Sequence, residues 1–237
     1  MRSTIAVSGW MAWIAAGCAP EEQLVGTPGD APAPTQFGFP LADRNQISTR
    51  IGVDHDPVVQ EGLAAALLCT DYAGRAFPHC YDEHSGTDLM LEGGFDTMDA
   101  GSLPVLAAWD GVVVEAVDGN YDRCHTDLGV VTCDGYPIAA NMITIEHPDG
   151  LRSQYWHLKE GSVAVEVGDA VRCGDEIGLV GSSGWSSAPH LHFEVRLSLD
   201  SEDWIDPFAG PYSQDESLWE DQGDDEDLPE DGCTGRR

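Results

Sequence analysis

His190-Leu191-His192-Phe193-Glu194-Val195-Arg196-Leu197 alternates polar and apolar side chains along its whole length. Successive side chains of an extended strand point to opposite faces. Leu191, Phe193, Val195 and Leu197 therefore share a face that needs a core, and His190, His192, Glu194 and Arg196 share the other. This period of two sets the fold class as mostly β. Val105–Trp109 and Gly111–Val117 read as two more strands about the Asp110-Gly111 turn. Asn141–His147, Ser153–Leu158, Val163–Val167 and Glu176–Val180 add short β-like runs punctuated by Gly and Pro. In the first of these, Met142, Thr144 and Glu146 fall on one face and Ile143 and Ile145 on the other. Ala64–Leu68 is the convincing helical stretch, and it is short.

The polar face of 190–197 carries the first chemical signal. His190 and His192 point the same way, close enough to serve one metal centre. Taken by itself, the pair reads rather as two exposed surface histidines. His84-Ser85-Gly86-Thr87-Asp88 adds an imidazole and a carboxylate four positions apart, able to curl onto one cation from a turn. Both are good zinc donors, and a histidine from the distant strand would complete three protein ligands. A fourth position is then left for water, the pattern of a catalytic site. In isolation this segment is also an ordinary polar loop. Tyr155-Trp156-His157-Leu158 supplies a third element, with His157 ending a strand beside two aromatics.

In this order the segments resemble the M23 family of peptidoglycan endopeptidases, of the lysostaphin and LytM type. The likeness covers about residues 76–197. It includes HSGTD, NMITIEHPDG (141–150), YWHL, VGDAVRCGDEIGLVGSSGWSS (167–187) and APHLHFEVR. The resemblance implies a compact antiparallel β-sheet metallopeptidase domain with long loops and short helices. It implies one Zn2+ held by His84, Asp88 and His192, with His157 and His190 as catalytic histidines flanking the reacting water. The implied reaction is hydrolysis of the peptide cross-links of bacterial peptidoglycan. All five positions carry the expected residue, whereas inactive family members that regulate other wall hydrolases usually lack some. Added cysteines, an acidic tail and an insertion around Asp118–Pro137 depart from the family pattern and bear on substrate choice.

Zinc lowers the pKa of a water and polarises a carbonyl. One imidazole can then move a proton while the other hydrogen-bonds the developing oxyanion. Which of His157 and His190 does which stays open. Gly181, Gly184 and the serines from Ser182 to Ser187 are expected to form a groove wall, where glycine admits a peptide backbone. The run is not a GxSxG elbow, which argues against a serine hydrolase. Competing functions are a non-catalytic binding module or activator of other wall hydrolases, and a zinc protease acting on proteins. A thiol hydrolase would need a free cysteine.

Composition narrows the setting. The chain has 237 residues with 11 Lys+Arg against 42 Asp+Glu, a net charge of -31, which repels nucleic acid. Hydrophobic content of 42% is enough for a core. Arg2 followed by the apolar stretch Ile5–Ala16 reads as an export signal, too short to span a bilayer. Ala15-Ala16-Gly17-Cys18 resembles a bacterial lipobox, which would leave Cys18 acylated and the chain membrane-anchored in the cell envelope. An ordinary secretory signal cut nearby is the alternative. The division is then a signal over 1–17, a Pro/Gly-rich tether over 18–36, a metallopeptidase domain over 37–213 and a solvated acidic tail over 214–237. Ala19 after the cysteine is compatible with the outer membrane, at the periplasmic side or the cell surface.

Cys69, Cys80, Cys124, Cys133, Cys173 and Cys233 form an even set, as disulfides in an exported chain require. Six cysteines allow roughly fifteen pairings. Cys69–Cys80 and Cys124–Cys133 would close short loops, and Cys173–Cys233 would pin the tail. No CxxC occurs, which weakens a structural zinc site. His55, in Asp54-His55-Asp56-Pro57, reads as part of a turn rather than a ligand. Asp118–Asp122 mimics the start of a calcium loop, but Arg123 stands where glycine is needed. His79 lies near enough to His84 to compete with it as a ligand, while His125 and His147 read as structural or exposed. Glu194 and Arg196 either support the ligands or face solvent.

Overall fold

The computed structural model describes residues 36–59, 67–197, 204–224 and 228–233. The export signal, Cys18, nearly all of the tether and most of Ala64–Leu68 lie outside the described residues. The strands are β1 (Ile47–Ile51), β2 (Thr87–Leu91), β3 (Pro104–Leu106), β4 (Gly111–Val117), β5 (His125–Asp127) and β6 (Val130–Thr132). They continue with β7 (Met142–Glu146), β8 (Arg152–Trp156), β9 (Ala170–Val171), β10 (Glu176–Leu179), β11 (His190–Arg196) and β12 (Trp204–Ile205). One helix, α1 (Gly94–Ala100), follows β2. The main sheet is antiparallel in the order β1-β2-β11-β8-β7-β4-β9, with β12 also on β11. β3 pairs with β10, and β5 with β6. The class is mostly antiparallel β, as the alternation in 190–197 requires.

Leu191, Phe193 and Val195 of β11 are completely buried. Leu197 is exposed, because the strand ends at Arg196. β7 is buried from Met142 to Ile145, with Ile143 and Ile145 in the core and Thr144 hydrogen-bonded to Gln154 and Glu115 on the other face. His147 is a structural histidine. One ring nitrogen meets Asp110 O at 2.9 Å and the other Ser153 Oγ at 2.9 Å, and burial lowers its pKa.

Two expected elements do not form. The residues around Asp110-Gly111 make no hairpin: β3 joins β10, while β4 joins β7 and β9. Asp110 Oδ1 instead accepts from Cys173 N at 2.8 Å, so the turn passes the chain between two sheets. Val163–Val167 forms no strand. Its entry is held by the Asp118 carboxylate, which accepts from Gly161 N and Val163 N, and Asp118 is thus a turn cap rather than a calcium ligand.

The acidic tail is not wholly solvated. Trp219 is 3% exposed and meets the rings of Phe37, Phe193 and Phe208 at 5.4–6.1 Å. Phe37 N donates to Leu218 O, and Glu220 N to Phe37 O. Asp215, Glu216, Glu220 and Asp221 keep their charges in water while the indole goes inside. The packed body therefore extends past 213. The three disulfides are Cys69–Cys80, Cys124–Cys133 and Cys173–Cys233, the set expected from two short loops and a pinned tail. The last bridges 60 positions, worth about 4 kcal/mol by chain entropy.

Candidate metal centre

The antiparallel register of β2 and β11 sets Asp88 directly opposite His192. Such cross-strand partners have Cβ atoms only about 5 Å apart. His192 Nδ1 lies 2.8 Å from Asp88 Oδ1. His84 comes from the loop before β2, and its Nε2 lies 3.2 Å from both His192 Nδ1 and Asp88 Oδ1. Asp88 is thus held by a strand rather than by a turn, and only His84 curls in from a loop. Gly86 makes the approach possible, because a Cβ there would sit 2.6 Å from His192 Nε2.

The outward side of each ring is also held. His84 Nδ1 lies 2.6 Å from Gly52 O, and Tyr81 stacks on the ring with centroids 4.1 Å apart. Tyr81 also donates from its hydroxyl to Asp88 Oδ2 at 3.3 Å. His192 Nε2 meets Glu194 Oε2 at 3.3 Å, and Arg196 Nε lies 2.6 Å from the other Glu194 oxygen. Glu194 is buried and therefore supports His192 rather than facing solvent. Partners of this kind fix which nitrogen of a ligating histidine points at a metal.

These residues fit zinc. Two imidazole nitrogens and a carboxylate oxygen are its usual donors, and tetrahedral bonds of ~2.05 Å put donors about 3.3 Å apart. His84, Asp88 and His192 are also the group of metal-type side chains that converges among the described residues. The electrostatics agree. Burial would raise the Asp88 pKa, yet the charge of His84 and His190 and hydrogen bonds from His190 and His192 hold it well below the usual carboxylate range. Burial would lower His192, yet Asp88 and Glu194 push it up to about 9. The two buried carboxylates select positive charge at this spot.

His157 and His190 flank the group. Their ring centroids lie 4.6 Å apart, and His157 is 5.9 Å from His192. His157 Nδ1 meets Ser183 O at 2.7 Å, and His190 Nδ1 meets Ala188 O at 2.7 Å. Each ring therefore keeps Nε2 for other business, and that of His190 lies 3.4 Å from Asp88 Oδ1. His157 holds φ at +66°, a left-handed conformation costly for a residue with a Cβ. Burial, then the charge of His190 and His192, lowers its pKa well below the ordinary value, so its ring is neutral near pH 7.

A cleft of about 250 Å³ opens over the group, with Tyr81, Glu83, Trp156 and Trp185 around it. Trp185 is 69% exposed. The expected groove wall is different in kind: Ser182, Ser183 and Ser186 are fully buried and act as struts, and Trp185 is the residue of that loop that faces the cleft. His55 is engaged elsewhere, with Nε2 2.8 Å from Asp206 Oδ2. His125 meets Arg123 O, and the His79 carbonyl accepts from Gly52 N; none of these three histidines joins the converging group. Tyr81, Gly52 and Trp185 had no sequence signal, because each acts through a contact fixed by loop geometry.

Comparison with known proteins agrees with this geometry. An uncharacterized metalloprotease of Buchnera aphidicola is 48% identical over 114 residues, covering 48% of this chain and 23% of the relative. The murein hydrolase activator EnvC of Escherichia coli is 36% identical over 100 residues, covering 41% and 23%. Glycyl-glycine endopeptidase ALE-1 of Staphylococcus capitis is 34% identical over 111 residues, covering 47% and 24%. The matched segment is less than a quarter of each of these relatives. The pattern of "Peptidase family M23" matches residues 83–207, a stretch that opens one residue before His84 and closes after β12. Since that match takes in more than half of the chain, with His84, Asp88, His157, His190 and His192 all inside it, the protein belongs to peptidase family M23.

Proposed function

We propose that this chain is a zinc-dependent endopeptidase that hydrolyses peptide cross-links of bacterial peptidoglycan. The observation that carries the reading is the convergence of donor atoms of His84, Asp88 and His192 within 4.8 Å of one another, with His157 and His190 beside them. Zinc held there would supply a Lewis acid for the scissile carbonyl and for water. The remaining tasks fall to the chain. Trp156 and Trp185 offer apolar faces that bind and orient a peptide across the cleft. His157, neutral and anchored at Nδ1, can accept a proton at Nε2. His190 presents its own Nε2 from the neighbouring strand, suited to a hydrogen bond with the developing oxyanion. The competing reading, a non-catalytic activator of other wall hydrolases, leaves the two flanking histidines without a task; the Escherichia coli relative bears the name murein hydrolase activator.

The test is digestion of purified sacculi by protein lacking residues 1–17. A chelator should abolish release of fragments, and zinc should restore it. Fragment masses would separate cleavage of glycine bridges from cleavage of D-alanyl–diaminopimelate links. A fully zinc-loaded sample that leaves sacculi intact, while cutting a protein substrate or nothing, sinks the reading.

We also propose export with a lipid on Cys18, on the strength of Arg2, the apolar stretch and Ala-Gly-Cys. Mass analysis of the mature N-terminus from the native host should find a diacylated Cys18. A free N-terminus at another residue would replace this with ordinary secretion.

A further inference from the structure

Ser182 and Ser186 touch no substrate cleft, yet both hydroxyls are completely buried and fully engaged. Ser182 Oγ lies 2.6 Å from the carbonyl oxygen of Cys124 and 2.8 Å from Ser186 Oγ. Ser186 Oγ lies 3.3 Å from His190 Nδ1. A carbonyl only accepts, and a hydroxyl has one proton to give. Ser182 therefore donates to Cys124, and Ser186 donates to Ala188 O at 2.9 Å with its oxygen against that of Ser182. The Ala188 carbonyl is the anchor of His190 Nδ1 at 2.7 Å. Ser186 thus ties the atom that holds the His190 ring to the chain of hydroxyls.

The far end of this chain of hydroxyls is stiff. Cys124 and Cys133 bracket the hairpin β5–β6 and are bonded to each other. Cys124 N donates to Ser182 O at 2.8 Å, and Thr126 N to Ser187 O at 3.1 Å. The same loop holds His157, because Ser183 O is the acceptor for its Nδ1. Ser183 Oγ in turn donates to Leu158 O and accepts from Asn141 N. The insertion thus braces the one loop that touches both flanking histidines from behind.

We propose that the disulfide-closed hairpin β5–β6 is a positioning device, which through Ser182, Ser186 and the Ala188 carbonyl fixes the ring orientation of His190. Ser182, Ser186 and the Cys124–Cys133 bridge are positioning residues and touch no reacting atom. The inference rests on the reading of His190 as a reacting group, so its test has one arm that needs no activity.

In the zinc-loaded chain with 15N-labelled histidine, His190 should show a protected Nδ1–H resonance. Ser186→Ala should speed exchange of that proton with water, because Ala188 O loses its tether, and kcat on sacculi should fall about 10–100-fold with KM and zinc content unchanged. Cys124→Ser/Cys133→Ser should give the same pair of changes, and adding Ser186→Ala to it should cost nothing further. If the double cysteine variant fails to fold, Ser182→Ala carries the same comparison. Unchanged exchange at Nδ1–H together with unchanged kcat in Ser186→Ala overturns the proposal, as do losses that add and follow thermal stability. Absence of cutting by the unaltered chain would sink the enzymatic reading, while the resonance would still decide whether the hairpin holds the ring.

Discussion

His157→Gly is expected to hold a full complement of zinc and to cut sacculi about 10²–10⁴-fold more slowly, the usual contribution of a positioned acid–base group. The ring makes no contact with the three converging donor atoms closer than its packing against His190 and His192, so the metal group should survive its removal. Glycine is the chosen replacement because the backbone stands at φ +66°, which glycine adopts without penalty. Elemental analysis and single-turnover digestion would be run on one preparation. Residual activity within a few-fold of the parent would remove His157 from the reaction, and loss of zinc would make it a ligand instead.

His192→Ala should do the opposite: no zinc retained, no detectable cutting, and a less stable fold. Its Nδ1 is the atom shared by Asp88 and His84, and its Nε2 is the partner of Glu194. Without it two buried carboxylates face each other across a gap. Removing one partner from a buried charged pair typically costs about 3–5 kcal/mol. Denaturant unfolding in the presence of chelator isolates that term, since neither protein then gains from metal binding. A variant that still titrates with one zinc at parental affinity would show that the centre lies elsewhere.

What could be read in advance divides along a physical line. Alternation in 190–197 is local, and it placed His190 and His192 on one face of a strand without further help. The two short disulfide loops were also local, whereas Cys173–Cys233 joins residues 60 apart. Asp88 was read as part of a turn because Thr87–Leu91 is a short run that opens on two polar residues, and its pairing with β11 joins residues 104 apart. Register across such a span has no signature in composition. Val163–Val167 looked like a strand by its β-branched residues, but the Asp118 carboxylate claimed the backbone that a neighbour would have used. The tail was misjudged for a related reason. Charge density describes the average residue of 214–237, whereas Trp219 alone determines where the segment packs. The left-handed backbone of His157 belongs to the same class, since a conformation imposed by Asn141, Leu158 and Ser183 leaves no mark on the histidine's neighbours in sequence.

The bridge between Cys173 and Cys233 makes the last quarter of the polypeptide a closed ring. Hydrolysis of any single peptide bond between those two cysteines opens the ring but frees nothing, so a nicked molecule migrates as one species until thiols are added. The exposed residues Glu220, Asp221, Gly223 and Asp224 can accordingly be clipped around by a protease without shedding the indole or the strand beneath it. Wear at this end of the protein would be silent in an ordinary non-reducing gel and would show only after reduction.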